Sequence, residues 1–140
     1  MYQVVLDTSV LVAALRSRNG GSWRLLQILG NGQWRPNLTV AILLEYEAVL
    51  KRHGAELGFS EGDIDVFLDA VCSQSGLHRQ YFSLRPTLPD PNDDLILEAA
   101  VASASDFIIS FNRRDFAGVE RFGIRCLTPG KLLILLREQR

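Results

Sequence analysis

Four acidic residues at separate points of the chain have the type and the setting of metal ligands. Asp7 ends an apolar run, Glu45 lies in a helical pattern, and Asp93 and Asp115 stand before and after a second apolar run. Carboxylates that meet in a fold repel one another unless positive charge neutralises them. Oxygen donors without His or Cys favour Mg²⁺ or Mn²⁺ over zinc. We therefore expect the four acids to hold a divalent cation, whose natural chemistry here is phosphodiester hydrolysis.

Glu45 is the hardest of the four to explain as a surface residue. The residues one helical turn away on either side, at positions 41, 42, 48 and 49, are all apolar. Glu45 should therefore project from the helix face that meets the core. An unpaired carboxylate in that place is costly and normally takes up a proton or finds a cation. A metal ion is the expected partner, and a buried salt bridge to an arginine is the alternative.

The other three acids also have purely structural explanations. Asp7 and Asp93 stand where helices are expected to begin, so each could cap a helix N-terminus. Asp115 follows two arginines and could be a solvated turn residue. Mg²⁺ usually takes only one or two direct carboxylates and keeps several waters, so some of these acids would bind it through water.

The elements that would position these residues alternate between strand and helix. Apolar and β-branched runs predict strands, and capping residues before apolar positions at helical spacing predict helices. The expected strands are 2–6, 33–35, 77–82, 107–110 and 124–127; the expected helices are 10–15, 23–29, 39–52, 60–73, 93–104 and 129–137, with a loop at 85–92 and a polar turn at 112–118. This alternation indicates one three-layer α/β/α domain over residues 1–140, with a mostly parallel central sheet whose strand ends bind the ligand.

Composition restricts the classes of function. A chain of 140 residues that is 47% hydrophobic and 22% charged is ordinary globular protein. Its net charge of −1 means that a nucleic acid would have to be held by a local basic patch or by bound metal. Cys72 and Cys126 fit neither a zinc spacing nor a disulfide framework, so we expect free, mostly buried thiols. Without a signal-peptide pattern or an apolar run of about 20 residues, we expect a cytoplasmic protein that does not enter a membrane.

Four segments, taken in order, resemble the PIN-domain family. They are Val4–Val10 around Asp7, Leu44–Leu50 around Glu45, Asp90–Ala100 around Asp93, and Asp106–Phe116, which ends in an acidic turn. The similarity extends over essentially the whole chain and implies a PIN-like fold in which these acids are the ligands. Position 112 is Asn where many relatives carry Asp, so the fourth ligand is either Asp115 or the side-chain carbonyl of Asn112. Phe111 stands where close relatives usually have Gly.

The resemblance also implies a function. It implies a Mg²⁺- or Mn²⁺-dependent endoribonuclease that acts on single-stranded RNA, and small members of this kind are often toxins paired with an antitoxin protein. It further implies a homodimer. Thr8, Ser9 and Asp94 would support the metal site, with helix capping as the alternative for the first two. Arg113 and Arg114 would hold RNA phosphates, unless they belong to a solvated turn.

Two other hypotheses compete with this one. A catalytically silent PIN-like domain that binds nucleic acid or protein would fit Asn112 and the nearly neutral total charge. An aspartyl-phosphate enzyme or receiver would use Asp7 as a nucleophile. The second is disfavoured because phosphatases of the haloacid type need another Asp at position 9, which is Ser. A receiver also needs a late lysine, and Lys131 lies in the expected terminal helix.

Overall fold

A parallel sheet of five strands forms the centre of the molecule in the computed structural model, which describes residues 1–80 and 82–139. The strands are β1 (Tyr2–Leu6), β2 (Trp34–Leu38), β3 (Gly76–Leu77), β4 (Phe107–Ile109) and β5 (Arg125–Leu127). Their spatial order is β3-β2-β1-β4-β5. β2 and β3 thus lie on one side of β1, and the later strands β4 and β5 lie on its other side. Ligand sites of such sheets lie at this reversal, outside the carboxyl ends of the strands.

Helices flank the sheet. They are α1 (Thr8–Arg16), α2 (Gly21–Gln27), α3 (Val40–Leu57), α4 (Glu61–Ser73), α5 (Pro91–Ala102) and α6 (Pro129–Glu138), with two short 3₁₀ helices at Arg113–Phe116 and Val119–Phe122. Because crossovers between parallel strands are right-handed as a rule, this strand order puts α1 to α4 on one face of the sheet and α5 on the other. The expected three-layer α/β/α architecture with a parallel sheet is confirmed.

Local capping explains where several helices begin. The Thr39 hydroxyl accepts a hydrogen bond from the Ile42 N–H, and the Thr128 hydroxyl accepts one from the Lys131 N–H. Ser60 and Asp63 form a reciprocal capping box at the start of α4. These side chains satisfy N–H groups that the first helical turn leaves without partners. The apolar faces behind the caps then pack on β1, whose residues 4–6 are fully buried because helices cover both sides of the sheet.

Several boundaries differ from the sequence-based expectation. β2 continues through Pro36, which was expected to end it. The missing N–H of Pro36 is tolerated because β3 pairs only with residues 37 and 38 of this strand. The expected strand 77–82 is reduced to Gly76–Leu77, and its position 81 lies outside the described residues. α5 begins at Pro91 rather than at Asp93, because Asp90 caps it by accepting a hydrogen bond from the Asn92 N–H.

The segment before α5 is fastened to the helix by buried acids. Asp94 is 1% exposed, and its two oxygens accept hydrogen bonds from the backbone N–H groups of Leu88 (2.8 Å) and Thr87 (3.3 Å). The resemblance suggested Asp94 as a supporting residue of the metal site. Its carboxylate instead binds the backbone of the segment that precedes α5.

Glu98 makes a second attachment one helical turn later. Its side chain is fully buried and accepts a hydrogen bond from the Leu84 N–H at 2.6 Å. The other oxygen lies 3.3 Å from Nε of Arg85, whose side chain is half exposed. A carboxylate buried without such partners would be strongly unfavourable. Glu98 thus fixes the loop against α5, the helix that carries Asp93.

Two further expectations concern the surroundings of the protein. Both cysteines are free thiols and half-buried. Within residues 1–80 and 82–139, no helix is both long enough and apolar enough to cross a membrane.

Replacing Glu98 by alanine is expected to lower the free energy of unfolding by about 2–4 kcal/mol, because the change leaves the Leu84 N–H without an acceptor and opens a cavity. Urea denaturation measures this difference. Glu138→Ala is the matched control, since Glu138 is exposed near the end of α6, and it should stay within about 0.5 kcal/mol of the parent. Equal stability of the two variants would contradict a fastening role for Glu98.

Candidate active site

Asp7 follows β1 directly and is oriented by two hydroxyl groups. Leu6 pairs with Ile109 across β1 and β4, which brings the next residues, Asp7 and Ser110, side by side. Oδ2 of Asp7 accepts hydrogen bonds from Oγ of Ser110 (2.7 Å) and from Oγ of Ser9 (2.8 Å). Asp7 is the N-cap residue of α1, but its side chain makes no capping hydrogen bond. The carboxylate is thus held through Oδ2, and Oδ1 faces no hydrogen-bond donor of the described residues.

Ser110 is a site residue that the sequence analysis missed. It is fully buried, and its hydroxyl accepts a hydrogen bond from the Asn112 N–H at 3.0 Å while it donates to Asp7. One hydroxyl therefore links the end of β1 to the turn that follows β4. The signal was available, because a polar residue that ends a strand next to β1 must lie beside the residue that ends β1.

Asp93 lies in an acidic and partly desolvated environment. It is half-buried in the first turn of α5. Burial, followed by the negative charges of Asp7, Asp90, Asp115 and Asp94 in that order, raises the pKa of Asp93 to about 7. The side chain accepts no capping hydrogen bond, since Asp90 performs that role. The fold thus brings Asp93, Asp7 and Asp115 into electrostatic contact from three elements far apart in sequence.

Glu45 lies at the border of the buried face of α3, half-buried, rather than inside that face. The next residue, Tyr46, is fully buried and donates a hydrogen bond from its hydroxyl to the backbone oxygen of Leu6 at 2.5 Å. Burial and the charge of Asp7 raise the pKa of the Tyr46 hydroxyl. This contact, also missed from sequence, fixes the turn of α3 that carries Glu45 against the end of β1. Among the described residues no Lys, Arg or His pairs with Glu45, so the arginine alternative finds no support.

The turn after β4 is a short 3₁₀ helix and not an irregular loop. The backbone N–H of Asp115 donates to the backbone oxygen of Asn112 at 3.0 Å, which folds the turn back toward the site. Asn112, Arg113, Arg114 and Asp115 are all exposed. Burial and the charge of Asp7 raise the pKa of Cys126 in β5 to about 11, against an opposing effect of Arg113. The two arginines thus share with Asp115 the turn that follows β4.

The donor set fits Mg²⁺ or Mn²⁺ better than a soft metal, because it consists of carboxylate, amide and hydroxyl oxygens. Within the described ranges, however, no three Asp, Glu, His or Cys side chains are close enough to hold one ion directly. A small hard cation that keeps several waters needs only one or two direct carboxylates. Asp7 and Asp93 would supply these, with the more exposed Asp115 and Asn112 acting through water.

A family model described as a PIN domain matches residues 3–114. The chain belongs to the PIN-domain family. The matched range spans β1 to the turn after β4, and so contains Asp7, Glu45, Asp93 and Asn112 but ends just before Asp115. PIN domains are in general nucleases that use divalent metal ions, which supports a hydrolytic activity.

A solved structure has the same fold as this PIN domain. It is the crystal structure of VapBC2 from Rickettsia felis bound to a DNA fragment from their promoter. The superposition has a TM-score of 0.61 with 14% sequence identity, and it covers 89% of this chain and 98% of the other. No curated protein gave a significant match to the sequence.

The raised pKa of Asp93 predicts how the metal-free protein responds to pH. Because the folded state holds the Asp93 proton more tightly than the unfolded chain does, stability should fall as the pH rises from about 4 to about 7. Asp93→Asn removes this loss, so in EDTA at pH 8 the variant should be more stable than the parent by about 1–2 kcal/mol, a value reduced for solvent screening of a half-exposed group. Near pH 4 the two should be equal.

Urea denaturation at the two pH values tests this directly. Asp69→Asn, which changes an exposed acid on α4, is the control. It keeps Asp93, so its stability should fall with pH as the parent's does, and its difference from the parent should not change between pH 4 and pH 8. If Asp93→Asn destabilised the protein at pH 8, the carboxylate would be structural rather than held under charge repulsion.

Proposed function

We propose that this PIN domain is a Mg²⁺- or Mn²⁺-dependent endoribonuclease that hydrolyses phosphodiester bonds of single-stranded RNA. The observation that carries the proposal is the half-buried Asp93, whose pKa rises to about 7 through burial and through Asp7 and its other acidic neighbours. A fold has no structural use for carboxylates that destabilise one another, whereas a cation-dependent site requires them. Residues 1–140 form one catalytic domain in this proposal.

Each site residue has a separate task. Asp7 and Asp93 hold the ion, Glu45 contributes from the fixed turn of α3, and Asp115 or Asn112 completes the set. When bound, the ion supplies Lewis acidity and positive charge toward the phosphate. Ser9 and Ser110 keep the Asp7 carboxylate in one orientation. Thr8 is buried at the start of α1 beside them and supports the same strand end.

The RNA backbone is bound by Arg113 and Arg114. Both are exposed on the turn that carries Asp115, and neither pairs with a carboxylate of the described residues. Guanidinium groups beside an acidic centre attract the phosphates that the carboxylates alone would repel. A local basic pair is what a chain of net charge −1 requires.

The biological setting is proposed to be a toxin–antitoxin pair, in which this chain is the cytoplasmic toxin, works as a homodimer and is silenced by an antitoxin protein. The support is family membership together with the fold shared with the VapBC2 structure.

Purified protein should cleave labelled single-stranded RNA in Mn²⁺ or Mg²⁺, and EDTA should stop the reaction. Asp93→Asn and Asp7→Asn are each expected to lower kcat/KM by at least about 100-fold, because each removes a charge that holds the ion. Asp69→Asn is the matched control and should keep the parent rate. Cleavage that persists in EDTA would rule out the metal mechanism.

A catalytically silent domain is the second candidate, and two observations favour it. The described residues contain no ready-made group of three metal-binding side chains, and Asn112 is neutral. This candidate predicts RNA binding by the parent without cleavage in either metal. Phosphate incorporation at Asp7 would instead favour the aspartyl-phosphate hypothesis.

Removing the buried hydroxyl that orients Asp7 should weaken metal use without unfolding the protein. Ser110→Ala is expected to raise the Mn²⁺ concentration needed for half-maximal activity by about 10-fold or more, as loss of an outer-shell hydrogen bond does in metal sites. Ser73→Ala is the control, because the Ser73 hydroxyl bonds only within α4, to the backbone of Ala70. An unchanged metal requirement in Ser110→Ala would show that Asp7 needs no such support.

A further inference from the structure

A cleft of about 630 Å³ lies next to the candidate active site. Its walls come from α1, the start of α2, and α3. Ser9, which donates to Asp7, is part of its lining, and so is Phe111, the residue after Ser110. The cleft lining thus contains one of the two residues whose hydroxyls hold Asp7, and the residue next to the other.

Phe111 is an exposed aromatic residue of this cleft. Half of its surface (50%) is open to solvent, and its neighbours Ser110 and Asn112 belong to the site. A ligand that covered this ring would remove apolar surface from water, which is favourable. Bases of single-stranded RNA stack on such rings.

The same cleft carries positive charge and hydrogen-bond donors. Arg16, in the last turn of α1, lines it and pairs with no carboxylate in the described part of the chain. His53 lines it from α3, with Nδ1 3.7 Å from Oε2 of the exposed Glu56. Val49, also in the lining, lies one helical turn after Glu45. An RNA strand that extended from the acidic centre along this cleft would therefore meet the guanidinium group of Arg16.

We propose that this cleft is a nucleotide subsite, in which a base next to the scissile phosphate stacks on Phe111 and a backbone phosphate pairs with Arg16. The inference rests on the proposed ribonuclease function and adds a substrate-selecting site to it. The volume lies in the range of about 300–1,000 Å³ that is usual for small-ligand sites. Phe111 gives the stacking face and Arg16 gives the charge.

Binding is tested first, without cleavage. Single-stranded RNA that contains one 2-aminopurine base is titrated into Asp93→Asn protein, and stacking is read as quenching of the base fluorescence. Adding Phe111→Ala should weaken binding about 10-fold and abolish the quenching, as expected for one lost base–aromatic contact. Phe111→Trp should retain both. Phe82→Ala is the matched control, because Phe82 is a 40% exposed phenylalanine outside the cleft lining, and it should change binding less than 2-fold.

The phosphate contact is tested by salt dependence. Arg16→Gln should reduce the slope of log K against log salt concentration by about 0.7, the value for one phosphate contact to a single strand. Arg24→Gln on α2 is the control, since Arg24 is exposed but does not line this cleft. An unchanged slope in Arg16→Gln would overturn the assignment of the phosphate to Arg16.

Steady-state cleavage separates this proposal from the ribonuclease proposal. An RNA with an abasic nucleotide beside the cleaved bond should be cut by the parent about 10-fold less efficiently, and Phe111→Ala should add no further loss. Cleavage that is indifferent to Phe111→Ala and to the abasic site would overturn the subsite and leave the nuclease intact, and a protein segment would then be the better occupant. Quenching that depends on Phe111 in a protein that cuts no RNA would keep the subsite and overturn the nuclease.

Discussion

Repulsion between carboxylates at the carboxyl ends of β1 and β4 is the constraint around which this domain is built. Burial and the charge of Asp7, with smaller effects of Asp90, Asp115 and Asp94, raise the pKa of Asp93 to about 7. The acids cannot move apart to relieve this repulsion, because each is attached to a rigid element of the fold. Asp7 is fixed by its own strand and by two hydroxyls, and Asp93 by a helix that two other buried acids fasten to the preceding loop. Stability is given up locally to keep these acids together, which is what the proposed cation site would require.

The sequence does not distinguish two kinds of acidic residue in this protein, those that stabilise the fold and those that repel one another. Asp93 and Asp94 are adjacent, yet Asp94 is buried with both oxygens bonded to backbone N–H groups, while Asp93 accepts no capping bond and faces other carboxylates. The difference follows from helix geometry, because consecutive residues point about 100° apart around the axis. One acid therefore builds the support on which the other depends. Glu98 and Glu45 differ in the same way. Glu98 fastens the loop before α5, whereas Glu45 pairs with no basic side chain of the described residues.

Much of the fold was predictable because its signals are local. The apolar run 2–6, the caps at Thr39, Ser60 and Thr128, and the alternation of strand and helix set the architecture correctly. The errors arose where tertiary context prevailed over local preference. Pro36 continues a strand because its neighbour is too short to require its N–H, and Asp90 rather than Asp93 begins α5. Ser110 and Tyr46 were missed since their partners, Asp7 and Leu6, are about 100 and 40 residues away, and only the strand register and helix packing bring them together.

The orientation of Asp7 shows why the support of a site matters as much as its ligands. Both hydroxyl donors bind the same oxygen, Oδ2, so the carboxylate cannot rotate freely and Oδ1 keeps a fixed direction. A freely rotating carboxylate would lose conformational freedom on binding a cation, which weakens binding. Ser110 has already removed that freedom during folding, and because it also accepts from the Asn112 N–H, it ties the turn with Asp115 to the same geometry. The fold itself therefore orders the Asp7 carboxylate and the neighbouring turn, although the carboxylates still repel one another.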